Sequence, residues 1–127
     1  MIAMPSLAED KGTVQQMLIA CQSYSKMLRK APANRDDYYN FGLCVGRMEG
    51  FGAGVLHVAA HPKYPGRADK SVKEIVTFYG VCPSPGVDMK QQIAVFVKWA
   101  ENNPEKWNRP FAYGIYTSWS EAWPCSK

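Results

Sequence analysis

The 127-residue sequence predicts an all-α fold, a small disulfide-stapled bundle of four to five helices built from two antiparallel hairpins. Apolar residues recur at three- and four-residue steps in four segments, which is the spacing of one helical face. Turns rich in proline and asparagine separate these segments. Four cysteines lie where each hairpin can hold one bridge. We therefore expect a single helical domain over residues 13–125, preceded by a flexible N-terminus over residues 1–12.

The first predicted helix covers residues 13–30. Thr13 and Gln16 have the spacing of a capping box, in which each side chain accepts a hydrogen bond from the other residue's backbone. The turn at residues 31–34 contains Pro32 and ends the helix. The expected apolar face of this helix consists of Val14, Met17, Leu18, Cys21, Tyr24 and Leu28.

The second predicted helix runs to about Ala53, or onward through residues 55–60. Asp36 and Asp37 suit its first turn, because negative charge is stabilised near the positive end of the helix dipole. Its expected apolar residues are Tyr38, Phe41, Cys44, Val45, Met48 and Phe51.

Three glycines of the second helix, Gly42, Gly46 and Gly50, are spaced four apart and therefore share one face. Each glycine costs roughly 1 kcal/mol against alanine in a helix interior. A backbone that approaches closely would offset this cost. We therefore expect a tightly crossing helix on this face, either within the protomer or across a homodimer.

The segment from residue 54 to residue 81 is the least regular, and residues 72–79 are compatible with a short helix or an extended segment. The third helix then starts at Asp88, a good N-cap with Gln91 three residues later, and ends before Pro104. Its expected apolar face consists of Ile93, Phe96, Val97 and Ala100.

The last predicted helix follows Asn108 and has Pro110 in its first turn, where the missing N–H group costs nothing. Pro124 ends it. Its expected apolar stripe consists of Phe111, Ile115, Trp119 and Ala122.

The cysteines favour two disulfides. In an antiparallel hairpin the start of the third helix lies near the end of the fourth, which brings Cys82 close to Cys125. Cys21 and Cys44 lie at similar distances from the turn between the first two helices, which favours a second bridge there. Four cysteines allow three connectivities, and the sequence leaves the choice open. Disulfides form in oxidising compartments, so we expect a periplasmic protein whose signal peptide has been removed.

Composition disfavours several classes of function. The net charge of +4 comes from scattered lysines and arginines, which argues against nucleic-acid binding. No run reaches the ~18 apolar residues of a membrane span. Dispersed cysteines and two histidines do not form a metal-binding pattern, and no nucleophile elbow or nucleotide-binding loop occurs. We expect no enzymatic activity, no cofactor and no metal ion.

Four short motifs occur in a fixed order in the second hairpin: Cys82-Pro83, Gly86-Val87-Asp88 with Gln91, Asn103-Pro104, and Ala122-Trp123-Pro124-Cys125. Their order and spacing resemble the Tai/Rap family of immunity proteins, which protect bacteria against cell-wall amidases delivered by type VI secretion. Cys44, Gly46 and Gly50 also resemble the second helix of that family. The resemblance covers roughly residues 15–125.

The resemblance implies a periplasmic immunity protein that binds a peptidoglycan amidase effector and occludes its active-site cleft. Homodimers also occur in the family, so we expect one here. The alternative is a periplasmic helical chaperone or envelope-stress binding protein, which would protect many unrelated client proteins.

The turn-rich segment 61–70 is the expected contact with the amidase, because rigid scaffolds commonly present binding residues on loops. Tyr64 offers a large amphipathic side chain, and Arg67 can make paired hydrogen bonds to a carboxylate. The expected partner-binding residues are His61, Lys63, Tyr64, Arg67 and Lys70. The alternative is a plain solvated connector, and the exposed helix faces near Lys90 and Lys98 are then the next candidates.

Overall fold

A computed structural model of the chain describes residues 12–60 and 80–125, and within residues 53–60 it describes the backbone alone. These ranges contain four α-helices and a short 3-10 turn, and they contain no β-strand. The helices are α1 (Val14–Leu28), α2 (Arg35–Ala60), α3 (Met89–Asn102) and α4 (Phe111–Ala122), with the 3-10 turn Pro104–Lys106 between α3 and α4. The predicted all-α class is confirmed, and α2 takes the longer of its two predicted lengths. The N-terminal segment 1–11 and the ambiguous segment 72–79 lie outside the described residues.

Two disulfides staple the helices. Cys21 of α1 is bonded to Cys44 of α2, and Cys82 is bonded to Cys125 just beyond α4. These are the two bonds that the sequence favours, and no described cysteine is free. The first bond is buried in the core and the second is half-buried. The bonds span 23 and 43 residues. A loop-entropy argument assigns each roughly 3–4 kcal/mol of stabilisation through the unfolded state.

The N-terminus of α1 is held by the chain segment that precedes α4. The Val14 N–H donates to Arg109 O at 2.8 Å, and the Gln15 N–H donates to Trp107 O at 3.1 Å. The Gln16 N–H donates to Thr13 Oγ1 at 3.2 Å, within the predicted capping box. The first three backbone donors of α1, which have no partner inside the helix, are therefore all satisfied.

The start of α4 differs from the prediction because the residues before α4 pair with the residues before α1. Pro110 lies just before the helix, in an extended conformation, and forms an isolated bridge with Thr13. The Phe111 N–H donates to Gly12 O at 2.7 Å. Because this pairing requires extended backbone at Pro110, the helix begins one residue later than the first-turn position that the sequence favours.

The C-terminus of α1 forms a Schellman motif. The Lys30 N–H donates to Met27 O, and the Ala31 N–H donates to Lys26 O. Lys30 adopts the left-handed conformation that the motif requires, with a φ of 56°. The helix consequently ends at Leu28, two residues before the predicted boundary.

The hydrophobic core lies between α1 and the other three helices, all of which α1 contacts. Trp119 Nε1 donates to Gln92 O at 3.1 Å, which joins α4 to α3. The Arg47 guanidinium lies over the Phe111 ring at 4.7 Å from its centroid, which joins α2 to α4. The buried apolar side chains are Val14, Met17, Leu18, Ala20, Cys21, Cys44, Met48, Ile93, Phe96, Trp99, Ala100, Ile115 and Trp119.

Three residues of the predicted apolar faces are exposed instead, namely Leu28, Tyr38 and Ala122. Leu28 and Ala122 are the last residues of their helices, where coverage by neighbouring helices ends. Tyr38 lies about 120° around α2 from the buried Cys44, at 3.6 residues per turn. These three positions of the sequence prediction were wrong because three- and four-residue spacing does not define the edges of the buried stripe.

Among the described residues, no helix crosses closely over the glycine face of α2. Gly42, Gly46 and Gly50 are exposed, and a Cβ atom built on any of them meets no described atom within 4 Å. The close approach occurs at Gly114 of α4. A Cβ atom there would lie 2.9 Å from Val14 Cγ2 and 3.0 Å from Phe96 Cε1. The lack of a side chain at Gly114 is therefore what allows α4 to pack against α1 and α3.

A pair of glycine substitutions tests this assignment. Gly114→Ala is expected to lower the free energy of unfolding by about 1–3 kcal/mol, because its methyl group would overpack the core. The control, Gly46→Ala, is expected to raise it by up to ~1 kcal/mol, because an exposed helix interior favours alanine. Urea unfolding with the disulfides intact measures both changes. Destabilisation by Gly46→Ala would instead show that this face is covered, as in the predicted homodimer.

Candidate functional site

The predicted partner-binding loop, with His61, Lys63, Tyr64, Arg67 and Lys70, lies outside the described residues. The structure does describe the residues that follow this segment from Gly80 onward. The Cys82 N–H donates to Trp123 O at 2.9 Å, beside the disulfide between Cys82 and Cys125. Gly80 has a φ of +79°, and a Cβ atom built on it would lie 3.1 Å from the Tyr116 hydroxyl oxygen. The backbone that precedes α3 is therefore fastened to α4 by a covalent bond and a hydrogen bond.

Three described surfaces are candidates for contact with other molecules. The first is the outward face of α2, where Tyr38 and Tyr39 are exposed beside the glycines. Three exposed glycines leave this face low and flat, with two aromatic rings at its N-terminal end. A homodimer through this face stays a prediction.

The second surface is the polar cluster around Asp37, at the turn between α1 and α2. Lys26 Nζ lies 2.8 Å from Asp37 Oδ2, and the same oxygen accepts the Asn34 N–H at 2.9 Å. Ser23 Oγ donates to Asp37 Oδ1 at 3.4 Å, and the Asp37 N–H donates to Asn34 Oδ1 at 3.0 Å. The hydrogen bond from Lys26, followed by that from the Asn34 backbone, holds the pKa of Asp37 below its ordinary value. Because every polar atom of this carboxylate is engaged, the cluster fastens two helices rather than offering a free anion.

The third surface is a cleft of about 290 Å³ between the last two turns of α1 and the first turns of α3. Its apolar part is formed by Tyr24, Leu28, Ile93 and Ala94, and the cations Arg29 and Lys90 also line it. The Tyr24 ring is held from behind by stacking on Phe41, at 5.2 Å between centroids. We call this feature the α1–α3 cleft. It combines an apolar floor with a positive rim.

Ser118 Oγ donates to Ile115 O and Ser120 Oγ to Thr117 O, so both hydroxyl groups are engaged within α4. No group of three or more histidine, cysteine or acidic side chains in the described ranges is arranged to hold a metal ion. Among the same residues, no helix has the length and apolar character needed to cross a bilayer.

Sequence reasoning named Lys90 but did not single out Arg29 or the pairing of Lys26 with Asp37. Arg29 and Lys90 lie far apart in the sequence, and only the packing of α1 against α3 makes them neighbours of one cleft. For Lys26 and Asp37 a signal exists, since they flank the predicted turn at comparable distances. An antiparallel hairpin places such residues opposite each other.

The Asp37 cluster predicts a pH dependence of stability. Because the folded-state pKa is lowered, the carboxylate stabilises the fold above its unfolded-state pKa of about 3.9. That contribution is lost as the pH falls through the lower folded-state value. Asp37→Asn should therefore flatten the loss of stability on acidification, measured by urea unfolding across this range. Asp36→Asn, at the exposed neighbour, is the matched control; an equal flattening by both variants would contradict the assignment.

The family model of the Rap1a immunity proteins matches residues 13–125, which include all four described helices and both disulfides. No curated protein and no solved structure matches the sequence. The family match extends over most of the chain and agrees with the resemblance carried by the cysteine and proline motifs of the second hairpin. The chain belongs to the family of Rap1a immunity proteins.

Proposed function

We propose that this chain is a periplasmic immunity protein that binds a peptidoglycan amidase delivered by type VI secretion and inhibits it. Inhibition occurs by occlusion of the active-site cleft of the amidase, and the chain itself performs no catalysis and needs no cofactor. The observation that carries the proposal is the family match over residues 13–125. An immunity protein acts by binding its toxin, and the described surfaces are suited to binding.

The disulfides support the periplasmic location. Cys21 and Cys44 are both 0% exposed, so their bond is part of the core rather than a surface feature. Loss of a native disulfide from a small domain typically costs ~2–5 kcal/mol, a large share of its total stability. Such a protein needs an oxidising compartment to fold, and the periplasm is the oxidising compartment in which a peptidoglycan amidase would act.

An inhibition assay tests the proposal. The probes are purified candidate peptidoglycan amidases, first screened by pull-down with this chain, and the readout is release of cleaved muropeptides. We expect activity to fall in proportion to added protein until a fixed molar ratio is reached, because a tight complex removes enzyme stoichiometrically. An unrelated aggregation-prone protein is the control. Protection of that control protein with no effect on the amidase would favour the chaperone alternative.

We propose further that the loop His61–Lys70 is the main contact with the amidase. Residues 61–79 connect the end of α2 with the segment that is bonded through Cys82, and rigid scaffolds commonly present binding residues on connecting segments. Pro62 and Pro65 restrict the unfolded chain, so less entropy is lost when the loop docks. Lys63 and Lys70 add positive charge, which speeds association with a cleft that accepts acidic wall peptides.

The double variant Tyr64→Ala, Arg67→Ala tests the loop. We expect it to keep the melting temperature of the parent protein and to weaken amidase binding by at least ~2 kcal/mol, the size typical of hot-spot residues. Isothermal titration calorimetry measures the change. The matched control is Tyr39→Ala, Arg35→Ala, which removes the same side-chain types from the exposed face of α2. Parent-like affinity in a folded loop variant would exclude the loop as the main contact.

A further inference from the structure

We propose that the α1–α3 cleft is a second docking point for the effector, where it receives an apolar side chain flanked by carboxylates on the amidase surface. This inference rests on the proposed function and adds a specific site to it. The geometry points to the cleft because it combines an unfilled apolar recess with two cations in one place.

The apolar part of the cleft includes one buried and one exposed aliphatic side chain. Ile93 is fully buried at its base, whereas Leu28 keeps 46% of its surface exposed although it continues the apolar face of α1. Ala94 is exposed and small, so it occupies little of the cleft that it lines. A volume of about 290 Å³ is at the lower end of ligand sites, and it suits one or two inserted side chains rather than a large ligand.

The polar groups of the cleft determine which charge it favours in a bound group. Ser25 Oγ donates to Cys21 O at 3.3 Å, so its proton is used within α1. Among the described residues, no carboxylate lines the cleft, and neither Arg29 nor Lys90 forms an ion pair. The neighbouring Lys26, in contrast, is paired with Asp37 at 2.8 Å. The two remaining cations can each receive a carboxylate from a partner, and their aliphatic stems extend the apolar rim.

Both walls of the cleft are held in place before binding. The end of α1 is closed by its Schellman motif and by the contact between Lys26 and Asp37. The start of α3 is capped by Asp88, whose Oδ1 accepts the Gln91 N–H at 2.9 Å. A preformed recess loses little conformational entropy when a partner docks.

Charge favours an acidic partner protein over a second copy of this chain. Arg29 and Lys90 make the rim of this cleft basic and the formal net charge of the chain is +4, so a second copy docked at the cleft would bring little charge complementarity. An acidic patch on the amidase would satisfy Arg29 and Lys90 and would also be steered towards them, which raises the association rate.

A charge variant gives the first test. Arg29→Gln with Lys90→Glu removes the positive rim, and a glutamate in the first turn of α3 suits the helix dipole, so folding should be retained. We expect binding to the purified amidase that the pull-down identifies to weaken by at least ~10-fold, mostly through slower association at low salt. The matched control is Arg109→Gln with Arg35→Glu, which changes the net charge equally. Both control residues are exposed and lie outside the cleft, and Arg109 contacts the opposite end of α1.

A steric variant gives an independent test that leaves the charge unchanged. Ala94→Trp fills the recess from an exposed position and should weaken amidase binding by at least ~10-fold, because the inserted side chain loses its space. Ala112→Trp, at an exposed position of α4, is the control and should bind like the parent. Surface plasmon resonance gives both rate constants, and thermal unfolding verifies that each variant is folded.

The outcomes separate this inference from the proposed function. If the parent protein binds and inhibits the amidase while the cleft variants bind equally well, the second docking point is refuted and the proposed function stands. If the parent does not bind the amidase, both are refuted. If the cleft and control variants lose affinity equally, the effect belongs to net charge or to bulk at the surface, and the cleft is refuted as a specific site. Selective loss in both cleft variants supports it.

Discussion

Burial of α1 is the constraint on which the rest of the structure depends. This helix contacts each of the other three described helices, and Val14, Met17 and Ala20 are 0% exposed. A helix covered on three sides can tolerate few changes, because interiors are packed at crystal density. Its N-terminal donors are satisfied by the segment before α4, so the second hairpin completes the first helix. The two hairpins are therefore not independent units: α1 depends on both.

The two disulfides stabilise different parts of this arrangement. The bond between Cys21 and Cys44 lies inside the core and joins α1 to α2 where they are already packed. The bond between Cys82 and Cys125 is half-buried and joins the segment before α3 to the residues after α4. The first bond stabilises the helical scaffold, and the second holds the start of the second hairpin against the end of α4. Together they keep a protein of this size rigid enough to present fixed surfaces.

The sequence predicted the features that arise from local chemistry and missed those that arise from the packing of distant segments. The capping box at Thr13, the N-cap at Asp88 and the break at Pro104 each depend on a few neighbouring residues, and the structure has all three. The glycines show the opposite case. Spacing drew attention to the face around Gly46, yet a glycine is required for packing at Gly114, which stands alone in α4. Whether a backbone approaches a glycine is decided by a second segment, and periodicity within one helix carries no information about that segment.

The same distinction applies to the surfaces that bind partners. A loop rich in proline and aromatic residues is visible in a sequence, because its composition is unusual over a few residues. The α1–α3 cleft is not, because Arg29 and Lys90 become neighbours only when the two hairpins pack together. Leu28 connects what the sequence pattern shows with what the packed structure shows. Its spacing places it on the apolar face of α1, and the structure leaves it uncovered by any described helix beside two cations. A single exposed apolar residue is ordinary in a folded protein, and Leu28 supports the proposed docking point because it adjoins Tyr24, Ile93 and Ala94 in the cleft.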